Sequence, residues 1–220
     1  MNTEETLALQ TTNAFQSARR AAQKDVHVSM STETLIALKR EQLKLCFAKK
    51  VGDSFNVVWK SEKNYLVNNK FSWQPAYQLF ATNKFRSGVE VQVHTNKVTC
   101  GLGETSTMNK EGVMLPAVTG GPQTALTFDN DFALIHAGVC QLSEDDEGNI
   151  ESEVIFVDAF KTPLGHNTLT PKEEVMIWFE RNVETGTMFS EAKSNPIVVN
   201  LTHTNQQSVF YDHEKGWRTI

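Results

Sequence analysis

The side chains best suited to acid–base or nucleophilic work are six histidines, three cysteines and an ionisable run near residue 212. Tyr211-Asp212-His213-Glu214 places four titratable groups in succession, a pattern that fits either a catalytic cluster or the charged end of a hairpin. His203 continues the alternation of Val199 and Leu201, and His136 continues that of Phe132 and Leu134, so both fall where apolar side chains point. An imidazole at such a position is more often a hydrogen-bonded core group than a base. If the chain is a non-redox enzyme, a cyclase, isomerase or hydrolase working in a β cavity, His203 and His136 are the acid/base candidates, with Tyr211 and His213 behind them. Cys46, Cys100 and Cys140 are widely spaced among small or apolar residues, without the basic neighbours that activate a thiol.

Other chemistries leave no signature. There is no G-x-S-x-G elbow and no P-loop, and Gly101-Leu102-Gly103 lacks the third glycine of a dinucleotide loop. No Cys/His spacing suits a metal, and Glu144-Asp145-Asp146-Glu147 reads as a charged hairpin tip rather than a calcium loop. No cofactor or metal is expected.

The aromatic side chains offer binding instead of reaction. Phe55, Trp59, Tyr65, Phe71, Trp73, Tyr77, Phe80 and Phe85 crowd one segment, and Trp73 and Tyr77 flank Pro75, which favours a loop or sheet edge. Trp, Tyr and neighbouring Asn and Gln on such a loop would suit sugar stacking or a lipid headgroup, and Trp73, Tyr77 and Tyr65 are the candidates. Ordinary core packing is the competing reading.

The elements that would position these groups divide near residue 43. Residues 1–50 carry eight Lys/Arg against five acids, whereas the whole chain has net charge −5, so the remainder is strongly acidic. An acidic body argues against nucleic acid. Thr3 to Lys24 reads as helical, Asp25–Ser29 interrupts it, and a second helical stretch runs from Thr32, a plausible N-cap, to about Gln42. From Leu43 the hydrophobic period becomes two, with about ten short strands separated by Gly, Asn, Asp and Pro. Val175-Met176-Ile177-Trp178-Phe179 is apolar on both faces, which predicts a central strand, with the N-terminal helices as its lid. The expected fold is mainly β: a helical arm over residues 1–42 and an antiparallel β-sandwich over 43–220. Without a signal-type leader before Gln23 or an apolar run of membrane length, a cytoplasmic chain lacking a transmembrane segment is expected.

Two stretches resemble the sandwich shared by actinoporins and fungal fruit-body lectins. Leu45-Cys46-Phe47-Ala48-Lys49-Lys50-Val51 through Trp59 is similar to their early hairpin. Val175-Met176-Ile177-Trp178-Phe179-Glu180 through Asn200 is similar to their covered strand and the loop after it. The phrase Phe71-Ser72-Trp73-Gln74-Pro75 through Phe80 also resembles fungal cytosolic proteins. The resemblance implies a binding module for lipid headgroups or glycans, membrane-active in actinoporin fashion, and adds Trp178 and Phe189 to the ligand-facing candidates. Its departures are the acidic charge, the second helical stretch and a following loop poor in Tyr and Trp. A third expectation is a structural role, with the arm mediating homo-oligomerisation.

Overall fold

The computed structural model describes residues 23–144 and 149–220, in sixteen strands and one helix. The helical stretch expected over Thr3–Lys24 and the acidic turn at residues 145–148 lie outside the described residues.

The first strand is a correction to the sequence reading. Asp25–Ser29, expected as an interruption between helices, lies within β1, Lys24–Met30, which buries Val26, Val28 and Met30 by simple alternation. It lies in a sheet of order β16-β15-β1-β4, with β4 at Asn68–Trp73, β15 at Gln206–Asp212 and β16 at Gly216–Thr219. Residues 24–30 are therefore woven into the β body. A period-two run of seven residues is short enough to vanish beside a helical composition.

Helix α1, Thr32–Arg40, fits its expected place, but its cap is Ser31, whose Oγ accepts from Thr34 N at 3.1 Å. Glu33 in the first turn and Lys39 and Arg40 in the last complement the helix dipole. Gln42 ends it in the left-handed region, φ 56°, and Leu43 N donates to Leu38 O, which turns the chain into β2, Lys44–Val51.

A second sheet has the order β14-β13-β2-β3, with β3 at Lys60–Glu62, β13 at Pro171–Glu180 and β14 at Ile197–Asn200. A third runs β11-β10-β5-β6, from β5 (Tyr77–Thr82), β6 (Val98–Thr99), β10 (His136–Glu144) and β11 (Ile150–Val157). The fourth runs β12-β9-β7-β8, from β7 (Glu104–Met108), β8 (Val118–Thr119), β9 (Leu126–Asn130) and β12 (Gly165–Leu169). Most pairings are antiparallel, but β1/β15 and β7/β9 are parallel. The chain is thus mainly β. One apolar cluster draws on all four sheets, with Val28, Phe47, Leu79, Val139, Phe128 and Ile177 among its members.

Strand β13 is interior to its sheet, as its double apolar face implies, and among the described residues its second face is covered by a loop. Val175 and Ile177 enter the main core, whereas Met176 and Trp178 face a second cluster with Cys46, Ala48, Val58, Val183 and Phe189. Its described cover is the chain returning over residues 183–189, clamped between two backbones. Val58 N donates to Thr187 O, Phe189 N to Asn56 O, and Met188 N to Val89 O. A lid of this kind has no periodic signature, because its side chains are spaced by turns.

Candidate functional site

Two glutamates at opposite ends of β13 each gather a tryptophan and a lysine. At the start, Glu173 Oε2 accepts from Trp73 Nε1 at 2.6 Å, and its Oε1 from Tyr77 OH at 3.3 Å and Lys49 Nζ at 3.4 Å. Lys49 also donates to Gln141 Oε1 at 2.9 Å and lies 5.2–6.0 Å from the ring centroids of Tyr77, Trp73 and Trp59. It is 0 % exposed. Burial lowers the Lys49 ammonium to about 8, against the opposing pull of Glu173. Burial also pushes the Tyr77 hydroxyl well above its ordinary value, reinforced by the Glu173 charge. Beside this unit, Glu153 accepts from Trp59 Nε1 at 3.1 Å and pairs with Lys60 at 2.6 Å; burial raises its carboxyl, and Lys60 works in the other direction.

At the end of the strand, Glu180 Oε2 accepts from Trp178 Nε1 at 2.6 Å and pairs with Lys193 at 3.0 Å. The Lys193 ammonium sits 4.6 Å from the Phe189 centroid and 5.6 Å from that of Trp178. This second unit opens onto solvent. Glu180, Phe189 and Lys193 line a cleft of about 430 Å³ together with Glu90, Glu184 and Glu191, so carboxylates dominate its walls. Glu90 and Glu191 form no ion pair among the described residues.

A neighbouring cleft of about 530 Å³ has the opposite charge. It is lined by Lys39, Lys44 and Lys63 with Gln42 and Asn64, and it shares Asn182 and Glu184 with the acidic cleft. Three chain segments make its walls: the turn from α1 into β2, the end of β3, and the chain leaving β13. Lys44 donates to Val183 O at 3.0 Å and pairs with Glu184 at 2.5 Å, while Lys39 donates to Lys63 O and stacks on Tyr65. Lys63 keeps an exposed ammonium with no ion pair among the described residues. Arg181 joins the two elements behind the cleft, donating to Glu41 O at 2.6 Å. Asn182, φ 52°, bends the chain at the junction, a conformation asparagine tolerates better than most residues.

The residues expected from sequence are distributed as follows. Trp73, Tyr77, Tyr65, Trp178 and Phe189 are all buried, none more than 5 % exposed, so their rings pack as core, and of these Phe189 also reaches the wall of the acidic cleft. The Trp73–Tyr77 turn joins β4 to β5 and points its aromatics inward at Glu173, which corrects the expected outward-facing loop. His136 is buried with Nδ1 on Asp158 O at 2.8 Å. His203 is exposed instead of inward-facing, because β14 ends at Asn200 before its register can reach residue 203. Tyr211 packs against Phe179 and Trp217, and His213 Nδ1 lies 3.2 Å from Thr34 Oγ1. These four candidates meet at no common point in the contacts they make. The three cysteines are buried and free; burial pushes Cys46 and Cys100 up to about 12 and raises Cys140, which disfavours the thiolate form at each. Among the described residues no group of three His, Cys, Asp or Glu side chains could hold a metal ion, and no helix is long and apolar enough to cross a membrane.

No family model, curated protein or solved structure matches this chain. The lysines and glutamates of the paired clefts carried no sequence signal, because they come from three separate stretches, residues 39–64, 87–90 and 180–193, that share no spacing. Only the Lys/Arg excess over residues 1–50 hinted at a basic surface.

Proposed function

We propose that the protein is a binding module for a zwitterionic headgroup, a phosphate ester carrying an ammonium group. One observation carries the reading: a lysine-lined cleft and a carboxylate-lined cleft meet at Asn182 and Glu184. The basic cleft suits the phosphate, with Lys63 free to bind it and Lys44 able to exchange Glu184 for it. The acidic cleft suits the ammonium, through Glu90 and Glu191. Both volumes fall within the roughly 300–1,000 Å³ usual for small-molecule sites. The lipid-headgroup expectation is kept, but transferred from aromatic faces to fixed charges. A neutral glycan is less favoured, since the rings that would stack on it are buried.

Calorimetric titration with glycerophosphocholine tests the reading, with choline chloride and glycerol phosphate as half-ligands. The zwitterion should bind more tightly than either half. Lys63→Ala should weaken glycerol phosphate and Glu191→Gln should weaken choline, each about threefold to tenfold, as for partly screened charge contacts. Absence of heat with glycerophosphocholine at millimolar concentration, or binding indifferent to both substitutions, would overturn it.

A further inference from the structure

The acidic cleft continues on one side into a third depression of about 350 Å³, which shares no lining residue with the basic cleft. Phe189, Glu191 and Lys193 line both it and the acidic cleft, and so mark the border between them. Beyond that border the floor is apolar, built from Phe55, Met176, Ala192 and Pro196. Phe55, Met176 and Phe189 all pack in the second apolar cluster. Strand register carries the apolar surface on toward the sheet edge. Met176 lies directly opposite Val198 of β14, so the two side chains share a face, and Val198 is 50 % exposed. The returning chain covers that face at Trp178, where Phe189 meets the indole at 5.8 Å, and leaves Val198 bare.

Little in this floor needs water. Phe189 N is committed to Asn56 O, Met176 sits in the ladder between β2 and β14, and Pro196 has no N–H. Hydrocarbon laid over these three residues strands no backbone donor among them. The charges stand at the margins. Asp53 pairs with Lys172 at 3.1 Å and Lys193 with Glu180 at 3.0 Å, while Glu191 belongs equally to the acidic cleft.

The order of the three depressions selects the occupant. The acidic cleft is the middle one, because it shares residues with each of the others while they share none between them. Along the surface the sequence is therefore basic, acidic, apolar. A ligand matched to it carries its phosphate first, its ammonium next and its hydrocarbon last. A glycerophospholipid runs differently, with its chains on the phosphate side, so they would leave past the lysines and never reach Phe55 or Met176. A long-chain 2-amino alcohol phosphorylated on its hydroxyl has the matching order. Its first carbon bears the phosphate, its second the ammonium, and hydrocarbon begins at the third.

We infer that the ligand of the paired clefts is the phosphate monoester of a long-chain 2-amino alcohol, whose hydrocarbon lies over Phe55, Met176 and Pro196 toward Val198. The inference rests on the headgroup reading and adds to it the tail and its direction. The groove is open to solvent along one side, so a methylene in it gives up about half of its contact with water. That corresponds to a gain in affinity of about twofold per methylene, against about fourfold for full burial.

Calorimetric titration of the full chain with three soluble probes tests it. O-phosphoethanolamine is the headgroup alone, 2-aminooctyl phosphate carries the chain beside the ammonium, and the octyl ester of phosphoethanolamine carries it on the phosphate. The 2-aminooctyl phosphate should bind about tenfold or more tighter than O-phosphoethanolamine, and the octyl ester should gain nothing. Val198→Gln and Ala192→Gln, both at exposed positions, should each reduce that tenfold ratio about twofold to threefold. Equal affinity for 2-aminooctyl phosphate and O-phosphoethanolamine would overturn the inference and leave the headgroup reading standing. So would an equal gain for the octyl ester, or a ratio indifferent to both substitutions. Silence from O-phosphoethanolamine and glycerophosphocholine alike would overturn the headgroup reading, and the inference with it.

Discussion

Strand β13 begins and ends with the same chemical unit, a glutamate fixed by a tryptophan Nε1 at 2.6 Å and paired with a lysine. The surroundings differ. At Glu173 the lysine is wholly enclosed by two tryptophans, a tyrosine and Gln141, and its ammonium is lowered to about 8. At Glu180 the lysine rests on Phe189 at the wall of an open cleft. The first arrangement ties three sheets together through β2, β4, β5, β10 and β13 and leaves Lys49 without solvent exposure. The second leaves fixed charge beside water. Identical partners therefore do opposite work, and enclosure decides which: desolvation makes a charge costly and structural inside, and available for exchange outside.

The comparison can be broken most forcefully by removing each carboxylate. Glu173→Leu should destabilise the protein by about 3 kcal/mol or more, because it strands a buried ammonium. Urea denaturation would show it, and a cost no greater than at Glu180 would erase the distinction. The next effect is a pH dependence confined to the enclosed end. An unfolded chain holds the Lys49 proton up to its ordinary value of 10.5, the folded chain only to about 8. Between those values the unfolded state binds more protons, so the penalty for burying the charge is present below pH 8 and relieved as pH rises. Relative to Lys49→Met, wild type should gain about 3 kcal/mol from pH 8 to 10.5. Parallel stability curves for the two proteins across that window would contradict it.

The open end should respond less. Glu180→Leu should cost about 1 kcal/mol, the usual scale for a partly exposed pair that also receives a hydrogen bond. Smallest of all, Lys193→Met should change stability by about 0.5 kcal/mol or less, since methionine still covers Phe189 and Trp178. Its larger signature should be a shift in Trp178 fluorescence, as the cation over the indole is lost. A Lys193→Met protein destabilised as much as Glu173→Leu would show that the cleft lysine is structural after all.

Some of this was legible beforehand. The double apolar face of Val175–Phe179 announced an interior strand, and the period-two runs around Leu45, Tyr77, Leu126, Val139 and Val209 all fall in strands. Apart from β1, the missed strands are mostly polar. Glu104–Met108 and Gly165–Leu169 are built from Thr, Ser, Asn and His, and Asn68-Asn69 looks like a turn until β1 pairs with it. The candidate site was less legible than the fold. Aromatics that suggested an outward-facing loop are buried around Glu173, since a tryptophan that finds a carboxylate for its Nε1 has no need of water.

By itself the sequence determined the β class, the place of α1, and which strands need two apolar faces, because these follow from side-chain period and from turn chemistry within a few residues. It also determined that the chain is acidic overall, with a net excess of Lys and Arg over acids in residues 1–50. Tertiary structure alone decided which lysine is enclosed and which is open. It brought two clefts of opposite charge to Asn182 and Glu184, and it set Phe55, Met176 and Phe189 beside them. Enclosure and electrostatic neighbourhood depend on distances between segments far apart in the chain, and no local spacing encodes them.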